Sequence, residues 1–197
     1  MFVRIAIVSA ALLVSGCAST GAVRGPVDVL RYNLGTPVQP GTFALDPLRT
    51  NDTISTEYRG FVDAVSREMA GLSFTPVADP QPSAYIVDIA VSRTGAGQVR
   101  QRPRFSLGLG GGTGGWGSGV GGGISTGFGG SARQLVTTEL TVKIRRRAEG
   151  SVVWEGAART TGTLPRAPEE SQAQADRLAN ALFGDFPGRS GFTTTVP

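Results

Sequence analysis

The feature that most constrains the fold is an uncharged, glycine-rich segment in the middle of the chain. Residues 105–132 contain no charged side chain, and 14 of the 23 residues from 108 to 130 are glycine. Each glycine costs a helix about 1 kcal/mol relative to alanine, and its backbone entropy also weakens a strand. The core must therefore come from the residues on either side, with the segment joining them.

Three conformations of this segment remain open. It could be a mobile loop that a partner orders, a β-hairpin that turns near Gly111–Gly115, or a membrane helix with small residues every four positions. A low-complexity insertion without a role would need no large side chains. Four large apolar residues nevertheless recur at spacings that would place them on the same face of a strand. We therefore predict that these four contact a partner or a membrane: Trp116, Val120, Ile124 and Phe128.

Alternating apolar residues predict the strands that flank this segment. Residues 84–92 and 134–145 alternate cleanly, and 152–158 returns after a turn as the second strand of a hairpin. Shorter runs at 27–32 and 42–45 predict two further strands. Apolar residues at spacings of three and four predict helices at about 53–70 and 168–184.

These elements predict one α+β domain over residues 27–187. We expect a mainly antiparallel sheet with two helices packed on one face and a glycine-rich hairpin or loop insertion at 105–132. Residues 17–26 are expected to be a tether, and 188–197 a disordered tail.

The amino terminus has the parts of a lipoprotein signal peptide. Arg4 precedes an uncharged run of ten residues, which is too short to span the bilayer. Small residues then lead into Cys17, the only cysteine of the chain. We predict that residues 1–16 are removed and that Cys17 carries the lipid. Because Ala18 and Ser19 follow it, the bacterial sorting convention favours the outer membrane, at its periplasmic face.

The composition argues against most enzyme classes. The chain has no histidine, so the usual general base and the commonest metal ligand are missing. With the sole thiol acylated, cysteine–histidine and serine–histidine–aspartate mechanisms are excluded. A net charge of +4 is too small and dispersed to indicate nucleic acid as a partner. We expect no enzymatic activity, no cofactor and no metal site.

Several short motifs together resemble a known family. They are the signal ending at Cys17, the runs 41–45, 84–89 and 150–156 (Gly-Ser-Val-Val-Trp-Glu-Gly), and the closing 181–187 (Ala-Leu-Phe-Gly-Asp-Phe-Pro). The chain resembles bacterial lipoproteins that carry domain of unknown function 4136, over about residues 27–187. The resemblance implies an α+β fold and no established activity, so it supplies no catalytic residue.

These observations predict a membrane-anchored envelope lipoprotein that acts as a non-enzymatic binding or accessory module, with an envelope protein or a membrane surface as its partner. One alternative is a carrier or sensor of a small apolar ligand held between the helices and the sheet. Another is a carboxylate-dependent hydrolase that acts on cell-wall sugars.

Overall fold

Two helices cover one face of a seven-stranded sheet. The computed structural model describes residues 24–46, 55–78, 83–100, 105–106, 127–128 and 132–197. The helices are α1 (Thr56–Gly71) and α2 (Pro168–Phe183). The strands are β1 (Arg24–Asn33), β2 (Thr42–Asp46), β3 (Thr75–Pro76), β4 (Tyr85–Arg100), β5 (Phe105–Ser106), β6 (Gly127–Phe128), β7 (Ala132–Arg146), β8 (Val152–Thr163) and β9 (Thr193–Val196).

The main sheet has the strand order β3-β2-β4-β7-β8-β1-β9, and β5 pairs with β6 in a separate two-stranded sheet. The strands β4, β7, β8, β1 and β9 are each antiparallel to the next in this order. At one side of the sheet, however, β2 runs parallel to both β3 and β4.

The prediction of a mainly antiparallel sheet was therefore wrong, because the sheet is mixed. The cause is α1, which lies in the chain between β2 and β4. A helix between two strands of one sheet returns the chain to the end at which it started, so the two strands run in the same direction. The same geometry places the short β3, which follows α1, parallel to β2 on the other side.

Both ends of the predicted domain also needed correction. The first strand begins at Arg24, inside the stretch expected to be tether. The predicted disordered tail contains β9, in which Val196 pairs with Val27 and Thr193 with Leu30. A threonine-rich strand with exposed side chains carries no alternation of apolar residues, so hydrophobic periodicity could not indicate it.

Local sequence explains where each helix begins. Ser55 caps α1, with its hydroxyl oxygen accepting from the Tyr58 amide at 3.1 Å. In α2, Pro168 occupies the first turn, where its missing N–H is not needed, and two acidic residues follow it near the positive end of the helix dipole. Each helix presents its apolar stripe to the sheet.

The core lies between this helical layer and one face of the sheet. Inward-facing residues of β4 and β7 alternate as the sequence predicts, and the helices add large side chains between them. The largest fully buried side chains include Trp154, Phe43, Phe61, Phe183, Met69, Ile89 and Leu140.

Two of the motifs from the sequence, 150–156 and 181–187, contact each other in this core. The Trp154 ring of β8 stacks on Phe183 at a centroid distance of 5.3 Å and lies 5.2 Å from Phe186. Its indole N–H donates to the carbonyl oxygen of Pro187 at 2.9 Å. The closing segment is therefore held against β8 both by aromatic packing and by a hydrogen bond.

Arg31 holds the same closing segment from β1. Its side chain is 4% exposed, and it donates from Nε to the Leu182 carbonyl (2.9 Å) and from Nη2 to the Ala181 carbonyl (2.8 Å). These carbonyls belong to the last turn of α2, where a cation is favoured by the helix dipole. Burial lowers the pKa of Arg31, and the nearby Asp185 opposes that shift.

We predict that Gly156→Ala destabilises the fold by about 1–3 kcal/mol. A Cβ there would lie 2.5 Å from Cη2 of Trp154 and 2.8 Å from Cδ1 of Leu182, and both side chains are fully buried. The control is Gly71→Ala at the end of α1, where the added Cβ meets nothing within 4 Å. Urea unfolding followed by tryptophan fluorescence measures both variants. Equal stability for the two would contradict this account of the packing.

Candidate interaction surface

The strands on either side of the glycine-rich segment extend beyond the rest of the sheet. Strands β4 and β7 pair from Tyr85↔Arg146 to Arg100↔Ala132. Their neighbour β8 ends sooner, at the pair Leu135↔Thr163, and Leu164 adds one last hydrogen bond to the Gln134 carbonyl. We use the name arm for residues 96–100 of β4, 132–134 of β7, and the pair β5–β6.

A β-bulge marks the base of the arm. The register of β4 against β7 shifts between Gly95 and Gly97, so that Ala96 has no partner residue. Gly97 has φ +110°, a conformation that side chains disfavour. A bulge bends the strand and increases its twist, so this one sets the direction in which the arm leaves the sheet.

The arm includes one of the four predicted contact residues. Phe128 pairs across the strands with Phe105, and Gly127 pairs with Ser106. This pairing of residues 105–106 with 127–128 agrees with the hairpin alternative at the paired positions. Trp116, Val120 and Ile124 lie outside the described residues, as do the predicted turn at 111–115 and the predicted lipidation site Cys17.

Arg93 connects the base of the arm to both helices. Its Nη1 lies 2.5 Å from the Glu57 carboxylate of α1. Its Nη2 donates to Gln174 of α2 at 3.1 Å, and its Nε donates to Thr138 of β7 at 3.3 Å. The charge of Arg93 is thus balanced inside the fold, and the base of the arm is fixed to the covered part of the sheet.

Arg133 in the arm was not singled out by the sequence patterns. Its Nε and Nη1 atoms are buried, and the described residues provide no hydrogen-bond partner for either. The signal that could have identified it is a charge asymmetry. Residues 89–138 contain five arginines and no aspartate or glutamate, although the whole chain has 15 acidic residues.

The sheet face opposite the helices carries paired charges. Lys143 lies 3.2 Å from Glu155, and Arg159 lies 2.6 Å from Glu139. The two glutamates thus lie on the exposed face. Pairs of this exposure contribute at most about 1 kcal/mol each.

Two carboxylates on this face lie close enough to consider for hydrolysis. Arg145 donates to both oxygens of Asp88, at 2.7 and 2.9 Å, and to Asp46 at 3.1 Å. Hydrogen bonding to Asp88 raises the pKa of Arg145. A glycosidase acid instead needs a carboxyl group whose pKa is raised by an apolar setting. Both carboxylates are instead paired with Arg145 in a polar, partly exposed setting, which does not support the hydrolase alternative.

The space between helices and sheet gives little support to the ligand-carrier alternative. Aromatic and aliphatic side chains with almost no exposure occupy it, including Trp154 and Phe183. An open groove of about 450 Å³ lies instead at the rim, beside the first turns of α1 and α2, and its lining includes Glu57, Arg93 and Gln172. Within the described ranges, no helix is long and apolar enough to cross a membrane.

The fold and its motifs can now be compared with known proteins. The sequence profile described as Domain of unknown function (DUF4136) matches residues 38–188. This chain belongs to that family. An uncharacterized protein of Zymomonas mobilis subsp. mobilis is similar, with 28% identity over 212 residues that cover 87% of this chain and 80% of that protein.

Two solved structures share part of the chain path. A PDZ domain protein from Parabacteroides distasonis matches with a TM-score of 0.46 and 9% identity over 88% of this chain. The match spans only 39% of that protein. The PelC dodecamer from Paraburkholderia phytofirmans matches with a TM-score of 0.42 and 13% identity, over 83% of this chain and 99% of the PelC chain.

We predict that Tyr58→Phe makes the free energy of unfolding fall less steeply as the pH rises into the alkaline range. The Tyr58 hydroxyl donates to the Ile89 carbonyl at 2.9 Å, one residue beyond the β2–β4 pairing. Burial, then Asp46 and Asp88, raises the pKa of Tyr58 above its ordinary value of 10.0. Its stabilising effect is therefore complete below about pH 10 and is lost as the pH rises through the folded-state pKa.

The measurement is urea unfolding at several pH values between about 8 and 11, with Tyr32→Phe as the control, since the Tyr32 side chain is half exposed. Near neutral pH, the free energy of unfolding of the Tyr58 variant should be about 1 kcal/mol below that of the wild type, because the hydrogen bond is missing. As the pH is raised further, this free energy should fall less in the variant than in the wild type. Parallel curves for wild type and both variants would refute this role of Tyr58.

Proposed function

We propose that this protein is a lipid-anchored, non-enzymatic accessory module of the bacterial cell envelope, and that the arm is its contact surface. The anchor is the lipid on Cys17, and the location is the periplasmic face of the outer membrane. The component contacted by the arm lies in the same envelope.

The observation that carries this proposal is the arm itself. Two long strands of the core sheet continue past β8 and beyond Arg93, and residues 94–98 of β4 are all exposed. Between the ends of these strands lies the longest uncharged stretch in the chain, with its regularly spaced large side chains. A structural linker would need neither the extended pairing nor the apolar residues, whereas a contact surface needs both.

Two observations support the non-enzymatic part of the proposal: the sequence lacks common catalytic residues, and two neighbouring carboxylates are paired with an arginine. The chain has no histidine, and its one cysteine is the proposed lipidation site. Asp46 and Asp88, which share Arg145, are held as ion pairs on an exposed face. These features favour binding over catalysis.

The anchor is tested by mass spectrometry of the protein purified from membranes. We expect the mature chain to begin at Cys17 with acyl chains on that residue, and Cys17→Ser to abolish the modification and the membrane association. The control is Ser15→Ala, which keeps a small residue before the cleavage point. An unmodified Cys17 in membrane-purified protein would remove the anchor from the proposal.

The contact surface is tested by photocrosslinking in intact cells. A photoreactive amino acid replaces Phe128 in the arm or, as the control, Phe192, which is 56% exposed near the opposite end of the sheet. We expect crosslinked products, protein or lipid, from position 128 well above those from position 192. A second variant joins Arg100 to Ala132 by an Asn-Gly turn, because these paired residues suit a two-residue connection.

The shortened variant should fold with wild-type stability, because the core lies outside the arm, and should lose the function that the wild type provides. If position 128 gives no products above position 192, the arm is not the contact surface.

A further inference from the structure

A small cavity lies where the first half of α2 meets the start of β1 and the end of β8. Along β8 the inward-facing side chains change from Trp154 through Ala158 to Thr160, so a large ring gives way to small groups. The buried residues of α2 begin only at Ala175. Because neither element supplies large side chains at this end, a cavity of about 40 Å³ remains between them.

The lining of this cavity combines one face of a helix with two strand ends. Four residues of α2 are spaced three and four positions apart, so they share a face of the helix. They are Glu170, Ala173, Gln174 and Arg177. From the sheet, the lining includes Arg24 of β1 and Thr163 of β8. The cavity therefore lies beyond the packed core and has polar groups on both sides.

The two arginines of the cavity carry charge that the described residues do not pair. No ion pair among these residues includes Arg24 or Arg177. Of the lining residues only Glu170 is acidic, and its Oε2 already accepts from the Arg166 backbone N–H at 2.9 Å. Two guanidinium groups thus share one small space with a single carboxylate, and a bound anion would balance the remaining positive charge.

The other polar side chains of the lining add donors. The Oε1 atom of Gln174 accepts from Arg93 at 3.1 Å and from the Thr138 hydroxyl at 3.5 Å, which leaves its Nε2 as a donor. Thr163, whose side chain is almost fully buried, adds a hydroxyl group. A cavity lined mainly by N–H and O–H donors suits a ligand group that accepts hydrogen bonds and carries negative charge.

The size of the cavity favours a small, flat anion. A water-sized group needs about 10–15 Å³ of such space, so about 40 Å³ takes about three of them. A carboxylate is planar and matches a guanidinium through two parallel hydrogen bonds, whereas a tetrahedral phosphate is bulkier. Ala173 and Pro165 add apolar surface beside the donors, which suits a ligand with a short apolar body.

From these observations we infer that the cavity binds the carboxylate group of a small, partly apolar molecule. Arg24 and Arg177 are its charged partners, and Gln174 is a further donor. Short-chain carboxylic acids and the C-terminal ends of peptides both present this chemistry. The inference does not rest on the lipid anchor or on the arm, because no residue of the arm lines the cavity.

The test is a nuclear magnetic resonance titration of the full chain with isotope-labelled arginine, so that each guanidinium Nε–H gives its own signal. Butyrate represents the free carboxylic acids, and N-acetyl-alanyl-alanine represents a peptide C-terminus. We expect butyrate to shift the signals of Arg24 and Arg177 with a dissociation constant of about 1 mM, because so small a ligand makes few contacts. Butyramide, which has nearly the same shape without the charge, should cause no shift.

Variants locate the binding site. Arg24→Gln and Arg177→Gln should each weaken butyrate binding about tenfold, since each removes a charge-assisted hydrogen bond. The matched control is Arg59→Gln, which removes an exposed arginine of α1 outside the lining and should leave binding unchanged. Ala173→Leu fills the cavity without a change of charge and should abolish binding. Ala173 is partly exposed, so this variant should still fold, and its melting temperature checks this.

The outcomes separate the two ligand sources and the alternatives. Binding of either carboxylate at the two arginines supports the inference, and the better of the two identifies the source as a free acid or a peptide end. No shift at about 50 mM butyrate, or equal losses from Arg59→Gln and Arg177→Gln, would overturn it. Inorganic phosphate that competes as strongly as butyrate would also overturn it, in favour of a site for any anion.

Discussion

The architecture depends on a mismatch between the lengths of its helices and its strands. A helix of 16 residues is about 24 Å long, which covers about seven residues of strand. The buried part of β4 is of that length, since its inward side chains are covered from Tyr85 to Ile89 and partly at Val91. Yet β4 has 16 residues and β7 has 15. Both strands continue beyond the part that the helices cover, and their outermost residues form the arm.

The covered part is closed at the end opposite the arm. Arg31 caps the last turn of α2, Trp154 packs on Phe183 and donates to Pro187, and Gly156 leaves room for the indole. A buried arginine is tolerated here because two helix carbonyls accept from it. The short sequence motifs of the family thus have a structural explanation. Those around Trp154 and Phe183 fix the C-terminal end of α2 on the sheet.

The sequence predicted the strongly periodic elements well. The strands around Ile89, Leu140 and Trp154 and both helices were found because alternation or helical spacing is strong where one face is buried. The parallel pairing of β2 was missed although its cause, a helix between two strands, was visible. β2 is only five residues long, and nothing in so short a run specifies a neighbour.

The extent of the candidate interaction surface could not be predicted from the sequence, for a different reason. Periodicity indicates which side chains are buried, but not how far a strand continues once burial ends. Two features therefore followed only from the structure: the full length of β4 and β7, and the buried Nε and Nη1 of Arg133, which have no hydrogen-bond partner among the described residues. Phe128 was selected from its spacing alone, and its position opposite Phe105 places it in the arm. The other predicted contact residues lie outside the described residues.

The composition of the arm bears on what surrounds it. A two-stranded ribbon is at best marginally stable in water, and each ordered glycine costs backbone entropy without adding buried side-chain area. The β5–β6 pair has only two residues in each strand and forms a sheet separate from the one that the helices cover. Such a ribbon gains stability when one face leaves water. A contact outside this chain would offer this, and that is the physical argument for assigning the contact surface to the arm.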